Sequence, residues 1–118
     1  MMLIKGLIAP LLTPFDDTLK VDQSLYNELA KHLLETGVSG LAPFGTTGEA
    51  LSVSNDERKI ALEGLIAAGI DPAIMIPGTG LCNLPDTIGL CQHAVGLGCA
   101  GVMLLPPFYF KGMSDEGL

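Results

Sequence analysis

The fold of this chain is decided by one stretch, Leu41-Ala42-Pro43-Phe44-Gly45-Thr46-Thr47-Gly48-Glu49. Its first half is apolar and is typical of a buried strand, whereas its second half encloses two threonines between two glycines. Gly45 and Gly48 allow the backbone to take positive φ and let a ligand come close. Thr46 and Thr47 add two hydroxyl groups to their own N–H donors. We therefore expect a strand that ends in a turn rich in hydrogen-bond donors.

Two interpretations of this turn are open from its residues alone. In the first, Gly45, Thr46, Thr47 and Gly48 bind a small anion. Because no lysine or arginine lies in the turn, a carboxylate held by neutral donors suits it better than a polyphosphate does. In the second, the turn is a tight connection between a strand and a helix, and the threonines only cap it.

Short apolar runs alternate with helical periodicity on both sides of the turn. Strands are predicted at 6–12, 38–44, 73–76 and 101–105, and the first turn of another helix at 114–116. Three helices are predicted, with caps at Asp22, at the Ser54–Glu57 capping box and at Asn83. The expected inward apolar residues of these helices are Leu25, Leu29, Ala30, Leu33, Leu34, Ile60, Leu62, Leu65, Ile66, Ile88, Cys91 and Val95.

The glycines that end these helices form an internal repeat. Gly37, Gly69 and Gly98 are 32 and 29 residues apart, which is the length of one strand-helix unit. Strands and helices that alternate in this way predict an α/β fold with a parallel sheet, in which every strand-to-helix loop lies at one edge. We therefore expect the hydroxyl-bearing residues of these loops to converge at that edge: Thr13, Thr46, Thr47, Thr79 and Tyr109.

Composition and charge limit the classes of function. The 118 residues are 48% hydrophobic and 16% charged, which suits one globular domain at most. With a net charge of −7 and only six lysines and arginines, there is no basic stripe for nucleic acid or an anionic membrane. The mean hydropathy of +0.47 is high for a short chain and predicts an apolar surface that needs a partner.

The sequence pattern argues against a membrane span, a signal peptide, a disulfide framework, a metal site and a nucleotide cofactor. The chain shows no apolar run long enough for a bilayer and no signal-peptide pattern, so a cytoplasmic location is expected. The three cysteines are odd in number and lack C-x-x-C spacing, so neither a disulfide framework nor a metal site is expected. Gly78-Thr79-Gly80 begins a G-x-G-x-x-G motif, but Asn83 replaces its third glycine, so no nucleotide cofactor is predicted.

Five motifs, taken together and in order, resemble those of the dihydrodipicolinate synthase and N-acetylneuraminate lyase family. They are Leu11-Leu12-Thr13-Pro14-Phe15, Gly45-Thr46-Thr47-Gly48-Glu49, Asp56-Glu57-Arg58, Gly78-Thr79-Gly80, and Pro107-Phe108-Tyr109 with Asp115-Glu116-Gly117-Leu118. The resemblance covers the whole chain. It implies a (β/α)8 TIM barrel, of which residues 1–118 would be the N-terminal half with the first four βα units.

The resemblance also implies an activity and a set of site residues. Family members are aldolases or lyases that form a Schiff base between a lysine and pyruvate or a pyruvate-yielding substrate, without another cofactor. By this resemblance Thr46 and Thr47 hold the keto-acid carboxylate, with Gly45 and Gly48 shaping the turn. Thr46 and Tyr109 join a proton relay, and Tyr109 reaches into the neighbouring subunit of a homo-oligomer, a dimer or a tetramer. From the residues alone, Tyr109 could equally close a strand end with its hydroxyl in water.

The Schiff-base lysine of the family has no counterpart among the lysines of this chain. Lys5, Lys20, Lys31, Lys59 and Lys111 do not match its place. The 118 residues alone are therefore expected to be inactive. The alternative function is a non-catalytic half-barrel module that binds a carboxylate or serves in assembly.

Overall fold

A computed structural model describes residues 4–118, and residues 1–3 lie outside it. Two short strands and three helices follow one another: β1 at Ile8–Pro10, α1 at Gln23–Glu35, β2 at Gly40–Ala42, α2 at Asn55–Ala67 and α3 at Leu84–Gly96. Single turns of 3₁₀ helix occur at Ala50–Ser52, Pro72–Ile74 and Asp115–Gly117. The predicted helical turn at 114–116 is thus confirmed as one 3₁₀ turn.

All three predicted helix starts are confirmed. The Asp22 carboxylate accepts a hydrogen bond from the Leu25 N–H at 3.0 Å, and the Asn83 side chain accepts one from the Asp86 N–H at 2.9 Å. Ser54 and Glu57 form the complete capping box at the start of α2. These hydrogen bonds satisfy N–H groups that have no partner inside a helix, which is why each helix begins where it does.

The three helix ends are also as predicted. Gly37, Gly69 and Gly98 all have positive φ, at 100°, 98° and 89°. At each end two backbone hydrogen bonds close the same Schellman motif; after α1 they run from Gly37 N–H to Leu34 O and from Val38 N–H to Leu33 O. The repeat of glycines in the sequence is therefore a repeat of one terminating structure.

The parallel order of the strand segments is confirmed, but two of the predicted strands are wrong. β1 and β2 form a parallel ladder, with Ala9 opposite Leu41. The segment predicted at 73–76 joins this ladder through one parallel bridge, Leu41 to Met75. The segment predicted at 101–105 is bridged once, from Met103 to Gly78, which follows the third segment. The sheet proper thus has two strands, and the described residues do not form a closed barrel.

Local chemistry explains why these two segments are not full strands. The Asp71 carboxylate accepts a hydrogen bond from the Ala73 N–H at 2.9 Å, and Pro72 fixes its own φ, so the third segment begins as a 3₁₀ turn. In the fourth segment, Leu104 and Leu105 make no backbone hydrogen bond to any of residues 4–118 and are about half exposed. A segment with a neighbour on one side only is held at a few points rather than along its length.

The helices pack on this layer over a core that contains Leu11, Tyr26, Leu41, Leu65 and Met75, all essentially inaccessible. The predicted inward faces are only partly right. Ala30, Leu62 and Leu65 are buried as expected, but the other members fall into two groups. Leu25, Ile60, Ile88 and Val95 are at least 50% exposed. The rest are partly buried, and of these Leu29, Leu33, Leu34 and Ile66 pack on the core.

In α3 the buried residues are Thr87, Leu90 and Ala94 instead of Ile88, Cys91 and Val95. The helix is thus rotated by one position from the predicted orientation. Hydropathy alone cannot predict this rotation, because α3 is apolar on more than one face.

No helix that the structure describes is long and apolar enough to cross a bilayer.

Glycines let the strand ends approach one another backbone to backbone. A Cβ on Gly78 would lie 2.0 Å from the Phe44 carbonyl oxygen, and one on Gly80 would lie 2.6 Å from the Leu105 nitrogen. The Gly78 N–H donates to the Pro43 carbonyl at 2.8 Å. No larger residue fits between the second and third segments at this point.

We expect Gly78→Ala to lower the free energy of unfolding by about 2–3 kcal/mol, because its methyl group collides with rigid backbone. Urea denaturation of the protein measures this change. Gly89→Ala in α3 is the matched control: nothing lies within 4 Å of its Cβ position, so the same substitution should stabilise the helix by about 0.5–1 kcal/mol. Equal effects at the two positions would contradict the packing described here.

Candidate functional site

In the turn that follows β2, buried residues lie on both sides of an exposed pair of threonines. Pro43, Phe44, Gly45 and Gly48 are buried, whereas Thr46 and Thr47 are exposed. The turn is closed by hydrogen bonds from the Glu49 N–H to the Thr46 carbonyl at 3.1 Å and from the Ala50 N–H to the Gly45 carbonyl at 3.3 Å. The two threonines are therefore presented at the outer edge of a fixed loop.

The prediction that Gly45 and Gly48 take positive φ is wrong. The left-handed positions are their neighbours Phe44 and Glu49, with φ of 58° and 53°. Such a conformation costs a non-glycine residue about 1–3 kcal/mol and persists only where its surroundings enforce it. Backbone strain is thus concentrated at the two ends of the Thr46-Thr47 pair.

The two glycines instead make room for other parts of the chain. A Cβ on Gly48 would lie 2.7 Å from the Leu11 carbonyl oxygen, and one on Gly45 would lie 2.9 Å from the Met103 methyl group. The buried Thr13 hydroxyl donates a 2.7 Å hydrogen bond to the Gly48 carbonyl. The turn is therefore attached directly to the residues that follow β1.

The exposed pair offers hydrogen-bond donors without partners in the chain. Neither the N–H of Thr46 nor that of Thr47 donates to any residue in the described range 4–118, and their hydroxyls make no hydrogen bond there either. Two N–H groups and two hydroxyls within one turn suit an acceptor with several oxygen atoms. Free donors of this kind are what the anion-binding interpretation of the turn requires.

A cavity of about 430 Å³ adjoins the turn and is of the size that binds small molecules. Its wall is mostly apolar and includes Phe44, Met103, Leu105 and Phe108. The polar side chains on the wall belong to Thr46, Glu49 and Ser52. Gly45 also lines this cavity, whereas Thr47 and Gly48 do not.

The other hydroxyl-bearing residues do not meet in this cavity. Tyr109 is 77% exposed and packs edge-on against Phe110, with 5.5 Å between the ring centroids. Thr79 is buried, and the Cys91 thiol lies 3.2 Å from its hydroxyl. Of the five residues expected to converge, Thr13 and Thr79 serve the packing of the loops, Thr46 and Thr47 lie in the turn, and Tyr109 does not line this cavity.

Arg58 supports the turn from below, and the sequence analysis missed this contact. Its side chain is 97% buried. The guanidinium donates to the Val53 carbonyl at 3.2 Å through Nε and to the Ala50 carbonyl through Nη2, and Nη1 has no partner among residues 4–118. Burial lowers the pKa of Arg58 from its ordinary value. In the sequence Arg58 was the last residue of the Asp56-Glu57-Arg58 motif, but that motif did not indicate which carbonyls its side chain would bind.

Tyr26 forms the floor beneath the turn. Its ring is inaccessible and packs on Phe44 with 5.8 Å between the centroids. Burial raises the pKa of the Tyr26 hydroxyl above its ordinary value, so the residue stays neutral.

Among the residues of the described range, no group of three or more His, Cys, Asp or Glu side chains could hold a metal ion.

Comparison with known sequences matches residues 3–118 to the model of the dihydrodipicolinate synthetase family. The 4-hydroxy-tetrahydrodipicolinate synthase of Brucella abortus biovar 1 (strain 9-941) is 36% identical over 109 residues, which are 92% of this chain and 37% of that protein. The chain thus spans a little over a third of the length of the curated relatives that it matches.

Solved structures agree with the sequence comparison. Dihydrodipicolinate synthase from Agrobacterium tumefaciens str. C58 superposes with a TM-score of 0.92 at 38% identity, over 95% of this chain and 39% of that one. N-acetylneuraminate lyase from Proteus mirabilis gives 0.84 at 35% identity, over 94% and 38% of the two chains. YagE from E. coli K12, solved in complex with pyruvate, gives 0.84 at 29% identity, over 98% and 39%.

The sequence match from residue 3 to residue 118 and the close superposition on these structures agree with the resemblance drawn from the five motifs, and the chain belongs to the dihydrodipicolinate synthetase family.

Proposed function

We propose that these residues belong to a pyruvate-dependent lyase of the aldolase type, which acts through a lysine Schiff base. In this proposal residues 1–118 form the N-terminal half of one (β/α)8 barrel domain and supply its first four βα units. The family match, the partial coverage of the relatives and the pyruvate complex of YagE support it. A cytoplasmic location and a homo-oligomeric state, dimer or tetramer, are part of the same proposal.

The observation that carries the proposal is the pair of adjacent threonines whose donors have no partner among residues 4–118, with Thr46 on the wall of the 430 Å³ cavity and Thr47 next to it. The N–H groups and hydroxyls of Thr46 and Thr47 would bind the carboxylate of the keto acid. The apolar wall would then hold the rest of a small substrate and exclude water. Hydrogen bonds to an ionised acceptor are roughly twice as strong as those between neutral groups, so neutral donors are sufficient.

Proton transfer would use the hydroxyls of Thr46 and Tyr109. Formation of a carbinolamine and its dehydration both require a proton to move over a few ångströms, and hydroxyl groups held in line can carry it. Because Tyr109 is 77% exposed and outside the cavity of its own chain, the proposal places it in the site of a neighbouring subunit.

The Schiff-base amine would come from another part of the protein. No lysine of the described residues lines the 430 Å³ cavity. An exposed lysine near its ordinary pKa of about 10.4 is also almost wholly protonated at neutral pH and is a poor nucleophile. The 118 residues by themselves are therefore proposed to be inactive.

A second candidate function is a carboxylate-binding or assembly module without catalysis. It is favoured by the exposed apolar residues near the C-terminal end, among them Leu104, Leu105, Tyr109 and Phe110. Such a surface would be covered equally well by the rest of a barrel or by another subunit.

Borohydride trapping distinguishes the two candidates. The complete protein is reduced in the presence of pyruvate, and its intact mass is measured. We expect one covalent adduct per chain, on a lysine other than the five of these 118 residues, and no adduct on the 118 residues alone. A protein that binds pyruvate but forms no adduct would establish the non-catalytic module.

Thr46→Val tests the carboxylate site in the complete protein. Valine keeps the volume of the side chain and removes its hydroxyl, and the loss of one such donor typically lowers kcat by about 10²–10³-fold. Steady-state kinetics with pyruvate as the varied substrate measure this loss. The control is Thr36→Val, which removes an exposed hydroxyl at the end of α1, before β2, and should leave activity unchanged. Full activity of Thr46→Val would refute the assignment.

Tyr109→Phe tests the relay across subunits. We expect slow turnover with an unchanged fold, because only the hydroxyl is lost. Mixing this variant with a second inactive variant, Thr46→Val, should restore activity in hybrid oligomers that contain one intact combined site. If no mixture is more active than its components, the relay does not cross an interface.

A further inference from the structure

Arg58 connects the start of α2 with the donor-rich turn. Its backbone is fixed in the helix by the hydrogen bond from its own N–H to the Ser54 carbonyl at 2.9 Å, within the capping box. Its guanidinium crosses to the 3₁₀ turn and donates to the carbonyls of Ala50 and Val53. The Arg58 side chain thus connects the turn to α2, the helix that begins with the complete capping box.

The contact at Ala50 reaches the binding turn through one residue. The Ala50 N–H closes the turn on the Gly45 carbonyl at 3.3 Å, while the Ala50 carbonyl accepts from Arg58. Glu49, directly before Ala50, holds a left-handed conformation with φ of 53°. Both polar groups of the Ala50 backbone are therefore hydrogen-bonded: its N–H to the Gly45 carbonyl, and its carbonyl to the Arg58 guanidinium.

No carboxylate of the described residues pairs with the Arg58 guanidinium. Among residues 4–118, no acidic oxygen lies within 4.0 Å of its guanidinium, and its contacts are to carbonyl oxygens. An arginine stays charged even when it is buried, and a buried charge acts over a longer distance than an exposed one. The sequence suggested a turn without positive charge, but the structure places a cation behind it.

We propose that Arg58 is a positioning residue for the substrate carboxylate. It holds Ala50 and Val53 so that the N–H groups of Thr46 and Thr47 stay turned outward, and it adds positive potential behind them. This inference rests on the proposed function for the identity of the anion, but not for the clamp itself. Arg58 does not itself line the 430 Å³ cavity; it binds the carbonyl of Ala50, which does, and so acts through the turn.

The geometry of the clamp requires a guanidinium. Two carbonyls are reached from two different nitrogen atoms of one planar group, Nε and Nη2. A lysine carries a single ammonium on a flexible stem and cannot reproduce this fork. Arg58→Lys therefore separates the charge from the geometry, and Arg58→Met removes both.

The first experiment measures the clamp without any ligand. Hydrogen exchange of peptides covering residues 44–52 is compared in the wild-type protein, Arg58→Met, Arg58→Lys and Leu65→Ala. Leu65→Ala is the control for general loss of stability, since Leu65 is buried in the same helix and has no polar side-chain group that could bind either carbonyl. We expect faster exchange in this segment in both Arg58 variants, beyond the change in Leu65→Ala. Equal exchange in all three variants would overturn the proposal.

The second experiment measures pyruvate use by the same variants. We expect Arg58→Met to lower kcat/KM by about 10²-fold, as for other displacements of a binding group. Arg58→Lys should fall between it and the wild type. Leu65→Ala and the exposed charge-removal control Lys31→Met should keep the wild-type KM. A wild-type KM in Arg58→Lys and Arg58→Met would overturn the positioning role.

The outcomes separate this inference from the proposed function. If the wild-type protein forms no borohydride adduct with pyruvate, the proposed function fails, while the exchange measurement still tests the clamp. If Arg58→Met does not fold, the exchange and KM of Arg58→Lys decide alone, because Lys retains the charge and most of the volume. An unchanged turn and KM in Arg58→Lys would then reject the geometric clamp.

Discussion

The close contact between Gly78 and the Phe44 carbonyl is the constraint on which the rest of the structure depends. A Cβ at this position would lie 2.0 Å from the carbonyl oxygen, so the backbones meet with no side chain between them. Gly48 against Leu11 and Gly80 against Leu105 repeat the same kind of contact on either side. The ends of the strand segments are thus held together by backbone contacts, although the sheet has only three residues in each strand.

This constraint explains how a short sheet can carry a precise turn. Regular pairing between β1 and β2 is short, and the third and fourth segments add single bridges. The turn is held by other means: the Thr13 hydroxyl on the Gly48 carbonyl, the ring of Tyr26 under Phe44, and Arg58 on Ala50 and Val53. With so many contacts below the turn, two non-glycine residues can keep left-handed conformations, and the donors of Thr46 and Thr47 need no partner among residues 4–118.

The distribution of apolar surface follows from the same architecture. Residues buried in one layer between the helices and the strand segments form the core, whereas the outer faces of the helices and the fourth segment keep exposed apolar side chains. Ile88 and Val95 on α3 and Leu104 after the last bridge are examples. The high mean hydropathy of the sequence reflects these exposed residues as well as the core.

The sequence by itself determined the helices, their caps and the position of the donor-rich turn, because those features depend on residues within one helical turn of each other. Asp22, Ser54 and Asn83 begin the helices, and Gly37, Gly69 and Gly98 end them, by contacts that are local in the chain. The family could be recognised from short motifs for the same reason, and Thr46 and Thr47 could be placed in the turn. Only the tertiary structure decided the extent of the strands, the rotation of α3, the shift of positive φ from the glycines to Phe44 and Glu49, and the place of Arg58. Each of these depends on contacts between segments that are far apart in the sequence. The local spacing of residues does not indicate which distant segments come into contact.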